Sequence, residues 1–437
     1  MKAEILTIGD ELLRGEIVDS NKSFLSDRLL GLDIETHFHT SVRDDPEDMT
    51  DAFRRAAARS EITLVSGGLG PTRDDLTTEV LAETFGREMV LDDEALEGIR
   101  SFFRSVGREM SENNAKQAHF PQGAEILANP IGTAPGFAIN AGVSRFFCMP
   151  GVPRELYRMM DEQVVPRIAD KFQLGGVVRT RLLRTFGMGE STLDHELKDI
   201  AASGNVSLGF RTSFPDNFLR PLARATTAHE AEAELDRVCD AIRERLGPLV
   251  YAEGDRTLAA VVGQLLAERG MTIAVAEYCT GGLIAEKITD NAGSSAYFLG
   301  AVVAYANSAK TQLLGVPESV LAEHGAVSDT VVRLMAEGVR ERLGADIGVA
   351  TTGISGPAGG SDSKPVGLVH VALAREGETH AESFVFPLDR TRHRQLTAQV
   401  VLDWVRRAMI NAELVGPTLL RRPLPNQAGG SPVAKRG

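Results

Sequence analysis

The chain has 437 residues, a formal net charge of −13 and a hydrophobic fraction of 43%. That length exceeds one ordinary core and predicts two or three domains, and the acidic balance argues against a broad nucleic-acid surface, which needs clustered Lys and Arg. The three cysteines, Cys148, Cys239 and Cys279, lie far apart without CxxC spacing; they indicate neither a disulfide framework nor a zinc site, and they fit a reducing cytoplasm.

The N-terminus, MKAEILTIGDELL, meets acids too early for a signal peptide and reads as a first strand. No apolar run approaches membrane-spanning length. A helix follows with Phe24, Leu25, Leu29 and Leu32 on one face, then a strand in IETHFHTSV, a helix in PEDMTDAFRRAAARS and a third strand in EITLVSGG. Strands alternating with helices predict a mostly parallel sheet covered on both faces. In such sheets ligands sit beyond the carboxyl ends of the strands.

The stretch LVSGGLGPTRDD, residues 64 to 75, lies at such an end. Gly67, Gly68 and Gly70 let the backbone turn sharply and bring N–H groups to an anion. Asp74 and Asp75 follow, and carboxylates repel phosphate unless a cation stands between them. The pattern suggests a phosphate cradle beside a site for Mg²⁺ or a similar hard cation. A glycine-rich turn with Asp75 capping the helix LTTEVLAETFG gives the same letters. The Asp10-Glu11 pair follows the first strand and converges on the same sheet edge.

Further on, a solvated helix face explains Asn113, Asn114, Lys116 and Gln117 at least as well as a site does, and MPGVPREL reads as an ordinary helix start with Pro153 near its first turn. Residues 171 to 255 read as a small α+β unit: a strand in VVRTRLLRTFG, a helix, the strands VSLGFRTSF and NFLRPLARATT, and a second helix. That unit carries no catalytic constellation, so a spacer or dimerisation role is the default. From Thr257 come a helix, the strand TIAVAEYC and a second glycine turn, CTGGLIAEKITD, where Gly281 and Gly282 offer N–H groups to an anion. The tail from Gly416 has no acid and four bases, and composition predicts disorder.

Taken together, these motifs resemble the full-length CinA (competence/damage-inducible) family over residues 1 to 415. IGDELLRGEIVDSN and SGGLGPTRDDLT resemble the molybdopterin-binding fold, and CTGG, GSS, AYANSAK, GAVS, TTGISGPAGG and KPVG resemble nicotinamide mononucleotide deamidase. The resemblance implies an α/β protein in three parts. These are a molybdopterin-binding-like three-layer domain at 1–170, a small α+β linker or dimerisation domain at 171–255, and a CinA C-terminal α/β domain at 256–415, followed by a tail at 416–437.

For the first domain the resemblance implies metal-dependent hydrolysis of ADP-ribose or a related nucleotide. Asp74 and Asp75 are then the metal or base candidates, Asp10 and Asp19 the weaker ones, and Gly67, Gly68, Gly70 and Thr72 hold phosphate. For the last domain it implies a cofactor-free deamidase in which Gly281, Gly282, Gly353, Gly356, Gly359, Gly360 and Lys364 bind the nucleotide. Tyr305 and Lys310 are kept at the family's spacing, but Tyr278 stands where the family has its serine nucleophile. Tyrosine is a poor substitute, because its oxygen lies far from the backbone and its ring fills space meant for substrate; Cys279 reads as a small buried hydrophobe. The expectation is therefore a cytoplasmic homodimer that takes small nucleotides and neither membrane nor nucleic acid, with an impaired deamidase half. A non-catalytic nucleotide sensor tied to competence or DNA damage, a bifunctional enzyme and a molybdopterin handler are the alternatives.

Overall fold

The structure is a computed structural model that describes residues 1–172, 176–201 and 205–422. The chain divides into two compact units, one made of Met1–Arg179 with Arg224–Glu232 and the other of the remainder.

The first unit is built on a six-stranded sheet in the order Glu35–Val42, Lys2–Ile8, Ile62–Ser66, Ser144–Met149, Gly136–Ala141, Glu125–Leu127. The first three pairings are parallel and the last two antiparallel. The central strands are buried on both faces, as near-continuous apolar runs require. One face is covered by the helix Pro46–Arg59. Asp45 caps it by accepting from Glu47 N and Asp48 N, and Met49, Ala52, Phe53, Ala56 and Ala57 make its buried stripe. The opposite face carries Leu25 and Leu29 of the helix Ser20–Gly31, with Leu156, Met159 and Met160. The result is the three-layer α/β arrangement expected.

The second unit carries two sheets. The larger has the order Phe298–Val303, Ile273–Glu277, Ile347–Gly353, Leu368–Arg375, Glu378–Val385, parallel across its first two pairings and antiparallel across its last two. The helix Asp329–Leu343 covers one face. Against the other lies Arg390–Met409, an interior helix buried from Leu396 through Met409. The smaller sheet pairs Val206–Ser213, Asp216–Ala225, Leu183–Thr185 and Val250–Glu253. Its strand Val250–Glu253 escaped the sequence reading, because VYAE is only four residues long. Phe186, Tyr251 and Ala252 pack into the same core as Trp404 and Phe384 of the larger sheet's layer.

The tail requires a correction. Residues 416 to 422 are docked: Gly416 packs on Phe384, Thr418 N–H donates to Gly187 O at 2.9 Å and Arg422 N–H to Val385 O at 2.9 Å. Backbone pairing to the edge strand Glu378–Val385 outweighs the polar composition there. The rest of the expected disordered segment lies outside the described residues. No helix among the described residues is long and apolar enough to cross a membrane.

Candidate functional site

Three parallel strands of the first unit end together, and their last residues open a cavity of about 590 Å³. Ile8 and Gly9 come from the first strand, Gly67 to Thr72 from the third, and Pro150 and Gly151 from the strand Ser144–Met149. Gly67 and Gly68 sit at φ +109° and +67°, and a Cβ would strike the Ile8 carbonyl at one and the Thr77 hydroxyl at the other. Thr77 locks the turn, its hydroxyl donating to Gly67 O at 2.8 Å and its N–H to Gly68 O at 3.1 Å. Among the described residues no protein acceptor takes the N–H of Gly68, Leu69 or Gly70. Those three amides, bordering the cavity, are available to an anion.

Asp74 and Asp75 line the same cavity. Asp75 does not cap the following helix, whose N-cap is Leu76 with no side-chain bond. Instead its Oδ2 accepts from Thr72 N–H at 2.9 Å and from the Thr72 hydroxyl. Thr72 therefore spends on Asp75 the donors expected to hold phosphate, which corrects that assignment.

Asp10 is also corrected. It does not line the cavity; its carboxylate pairs with Arg14 and with Arg43 at 3.3 Å. Desolvation pulls its pKa up, but the Arg43 hydrogen bond and the two guanidinium charges outweigh it and hold the group below its ordinary value. Asp19 is the N-cap of Ser20–Gly31, accepting from Lys22 N–H at 3.2 Å.

Glu11, Asp44 and Glu155 line the cavity in their place. Asp44 Oδ2 accepts from Asp10 N–H at 3.0 Å. Desolvation raises the Asp44 pKa, and the charges of Glu11, Asp10 and Asp75 raise it further. Gln117 is buried in the turn Glu112–Ala118; its Nε2 donates to Leu69 O at 3.2 Å and its Oε1 has no partner among the described residues. Lys116 Nζ reaches Thr72 O at 3.4 Å. The segment is a 3₁₀ helix, in which Asn114 and Gln117 are buried while Asn113 stays exposed.

The donors here are hard oxygens, the right chemistry for Mg²⁺. Among the described residues no three acidic, histidine or cysteine side chains converge tightly enough to cage an ion. Mg²⁺ keeps waters and binds through one or two carboxylates plus substrate phosphate, so this open donor set fits it.

In the second unit the Lys310 side chain is fully buried. Its Nζ donates to Ala304 O at 2.8 Å and Tyr305 O at 3.4 Å, and lies 4.1 Å from the centroid of the Tyr278 ring. Burial brings its pKa down to about 8. Tyr305 is 57% exposed, with its ring centroid 5.2 Å from that of Tyr278. The structure thus brings Tyr278, Tyr305 and Lys310 together. Cys279 belongs to the core, and burial pushes its thiol up to about 12, far from a thiolate.

The glycine turn of this unit is partly occupied by the protein's own carboxylate. The buried Glu277 carboxylate accepts from Gly282 N–H at 2.9 Å, Ile284 N–H at 3.2 Å and Ala285 N–H at 3.0 Å. Gly282 is therefore corrected from nucleotide donor to partner of Glu277, with Gly281 beside it at φ +60°. Gly353 is a buried strand residue whose Cβ would meet Leu368 O at 2.7 Å, and Lys364 Nζ donates to His324 O at 2.8 Å. Both are explained by packing. Gly356, Gly359 and Gly360 belong to the loop after that strand; Gly359 and Gly360 are exposed and Gly356 is buried.

Two arginines were missed. Arg390 donates to Gly356 O at 3.0 Å and to the Tyr305 hydroxyl at 3.3 Å, and Arg394 donates twice to Thr280 O. They tie the start of the last helix to all three loops, and the run RTRHR was the only signal. Ser355 Oγ also lies 2.9 Å from His393 Nδ1, and His393 Nε2 lies 3.1 Å from Gly367 O. Such a hydroxyl–imidazole pair can activate a nucleophile, but both residues are buried and act here as a strut.

Comparison with known proteins matches three segments of the chain. Residues 4–170 match a family model described as a probable molybdopterin binding domain, 180–252 the damage-inducible protein CinA KH domain and 255–409 the CinA C-terminal domain. A CinA-like protein of Dictyoglomus thermophilum is 41% identical over 94% of this chain and 100% of its own length. One from Geobacter sulfurreducens is 43% identical over the same shares. Among solved structures, the competence/damage inducible protein of Agrobacterium tumefaciens is 41% identical, over 35% of this chain and 93% of that one, with a TM-score of 0.34.

Proposed function

The chain belongs to the CinA family, and from that premise we propose that its first unit hydrolyses the pyrophosphate bond of ADP-ribose or a related nucleotide. The observation that carries this reading is the meeting, in one cavity, of three unpaired backbone N–H groups with Glu11, Asp44, Asp74 and Asp75. Phosphate oxygens accept from the amides of Gly68, Leu69 and Gly70. Carboxylates lining the same cavity would repel them unless a divalent cation were bound, and Asp74 and Asp75 would hold it. Such an ion, when bound, supplies charge stabilisation to the phosphoryl oxygens.

The chain's own contribution to proton movement falls to Asp44. Its raised pKa makes it a better proton acceptor than an ordinary surface carboxylate, and Asp10 N–H fixes one of its oxygens, leaving Oδ1 for water. The test is to incubate the purified protein with Mg²⁺ and a panel of nucleoside diphosphate compounds and follow products by chromatography. Metal-dependent appearance of AMP and ribose 5-phosphate from ADP-ribose supports the reading; binding without turnover favours a nucleotide sensor.

The second unit supports a different reading, a deamidase-like pocket without its nucleophile. Lys310 faces two carbonyls and an aromatic ring rather than a hydroxyl. We infer that this half has weak or no deamidase activity. The protein then acts as a cytoplasmic homodimer on small nucleotides, as the family resemblance implies.

A further inference from the structure

A second cavity of the first unit, about 620 Å³, lies between the helix Asp93–Ser105 and the segment 126 to 135, and nothing above uses it. Thr133 lines both this cavity and the glycine–carboxylate one. Asn129 links them too, since it lines the second cavity while its Nδ2 donates to Glu155 Oε2 of the first at 2.7 Å.

The helix presents Ala95, Gly98, Ile99, Phe102 and Ser105 to this groove, one face at helical spacing. Glycine in mid-helix is disfavoured relative to alanine. A Cβ at Gly98 would meet nothing within 4 Å, so the residue keeps the floor open rather than relieving a clash. Ile126 and Pro130 line it from the other segment, and Phe102, half-buried, lines it from the helix. An aromatic ring, aliphatic walls and a side-chain amide are what a stacked nucleobase requires, and the volume falls in the range for small-molecule sites.

We propose that this groove is the nucleoside subsite of the first unit, holding the base while the attached pyrophosphate lies at the glycine loop. The inference rests on the pyrophosphate reading above, and it assigns substrate choice to Phe102: compounds carrying a nucleoside are selected over pyrophosphate alone.

The test titrates inorganic pyrophosphate and ADP, each with Mg²⁺, into the full chain by calorimetry. ADP is expected to bind at least about tenfold tighter than pyrophosphate, and Phe102→Ala to remove that advantage while leaving pyrophosphate affinity unchanged. Phe102→Tyr, which keeps the ring, is expected to restore ADP binding. Should Phe102→Ala unfold, Ser105→Trp fills the groove from its exposed rim and should block ADP alone. Equal affinities for the two ligands, an ADP affinity indifferent to these substitutions, or a parallel loss of both ligands would overturn the subsite and leave the pyrophosphate cradle standing. Failure of wild-type protein to bind either ligand would overturn the cradle itself, and the subsite with it.

Discussion

The ammonium of Lys310 lies 4.1 Å from the centre of the Tyr278 ring, with the amine donating to the carbonyls of Ala304 and Tyr305. The ring face attracts the cation, and burial lowers the amine pKa to about 8, so a sizeable neutral fraction exists in mildly alkaline solution. A base is thus in place with no hydroxyl to serve. Tyr278→Ser should create or strongly increase ammonia release from nicotinamide mononucleotide, rising with pH through about 8 as Lys310 loses its proton. An ammonia assay across pH checks this; a folded serine variant without activity would show that the pocket has changed beyond its nucleophile.

A second titration crosses the two sheets of the second unit. Asp216 accepts from the Tyr251 hydroxyl at 2.9 Å and from Gln399 Nε2 at 2.6 Å, and burial raises its pKa from 3.8 to about 6 despite those bonds. A raised folded-state value means that the native form binds more protons than the unfolded chain between these limits. Stability therefore falls as pH rises from about 4 to about 6, by up to roughly 3 kcal/mol. Asp216→Asn should remove that slope and raise the unfolding midpoint at pH 7. Thermal melts at pH 4.5 and 7 compare the two proteins, and parallel pH dependence in wild type and variant would refute the assignment.

The alternating strands and helices were legible because buried parallel strands must be apolar throughout, and the glycine loop because positive φ restricts residue choice. The carboxylates around that loop were only half legible. Asp10 and Glu11 are neighbours in sequence, and a helical turn sends them to different sides: Asp10 goes to Arg14 and Arg43, Glu11 to the cavity. Asp44 follows a strand some twenty residues before the loop, so only the sheet order brings it there. At the second glycine turn the letters suggested an empty anion site. Glu277, at the end of the preceding strand, partly occupies it, and nothing in local sequence distinguishes a ligand's oxygen from the protein's own.

The docked tail gives a third prediction. Gly416 packs on Phe384, Arg421 pairs with Glu382 at 3.0 Å, and two backbone bonds tie Thr418 and Arg422 to Gly187 and Val385. Truncation after Val415 should lower stability by about 1–3 kcal/mol, while truncation after Arg422 should leave the denaturation midpoint where it was. Equal midpoints for both truncations would show that the docking contributes nothing.

The last prediction separates the carboxylates of the first unit by role. Asp74 and Asp75 are assigned to the cation, so replacing both with Asn should abolish metal-dependent hydrolysis of ADP-ribose. Stability should change by only about 1 kcal/mol, because an Asn oxygen at position 75 can still accept from Thr72. Asp44 is assigned to the proton. It works only when ionised, and its pKa is raised, so wild-type activity should climb with pH through a limb lying above the ordinary carboxylate range. Asp44→Asn should lower kcat by 10²-fold or more, a typical loss for a general base. The residual rate should lack that limb, and the Mg²⁺ concentration giving half-maximal rate should stay close to the wild-type value. If Asp44→Asn instead shifted the Mg²⁺ requirement and kept the pH limb, Asp44 would be a metal ligand and the proton acceptor would lie elsewhere, with Glu11 and Glu155 the other carboxylates lining the cavity.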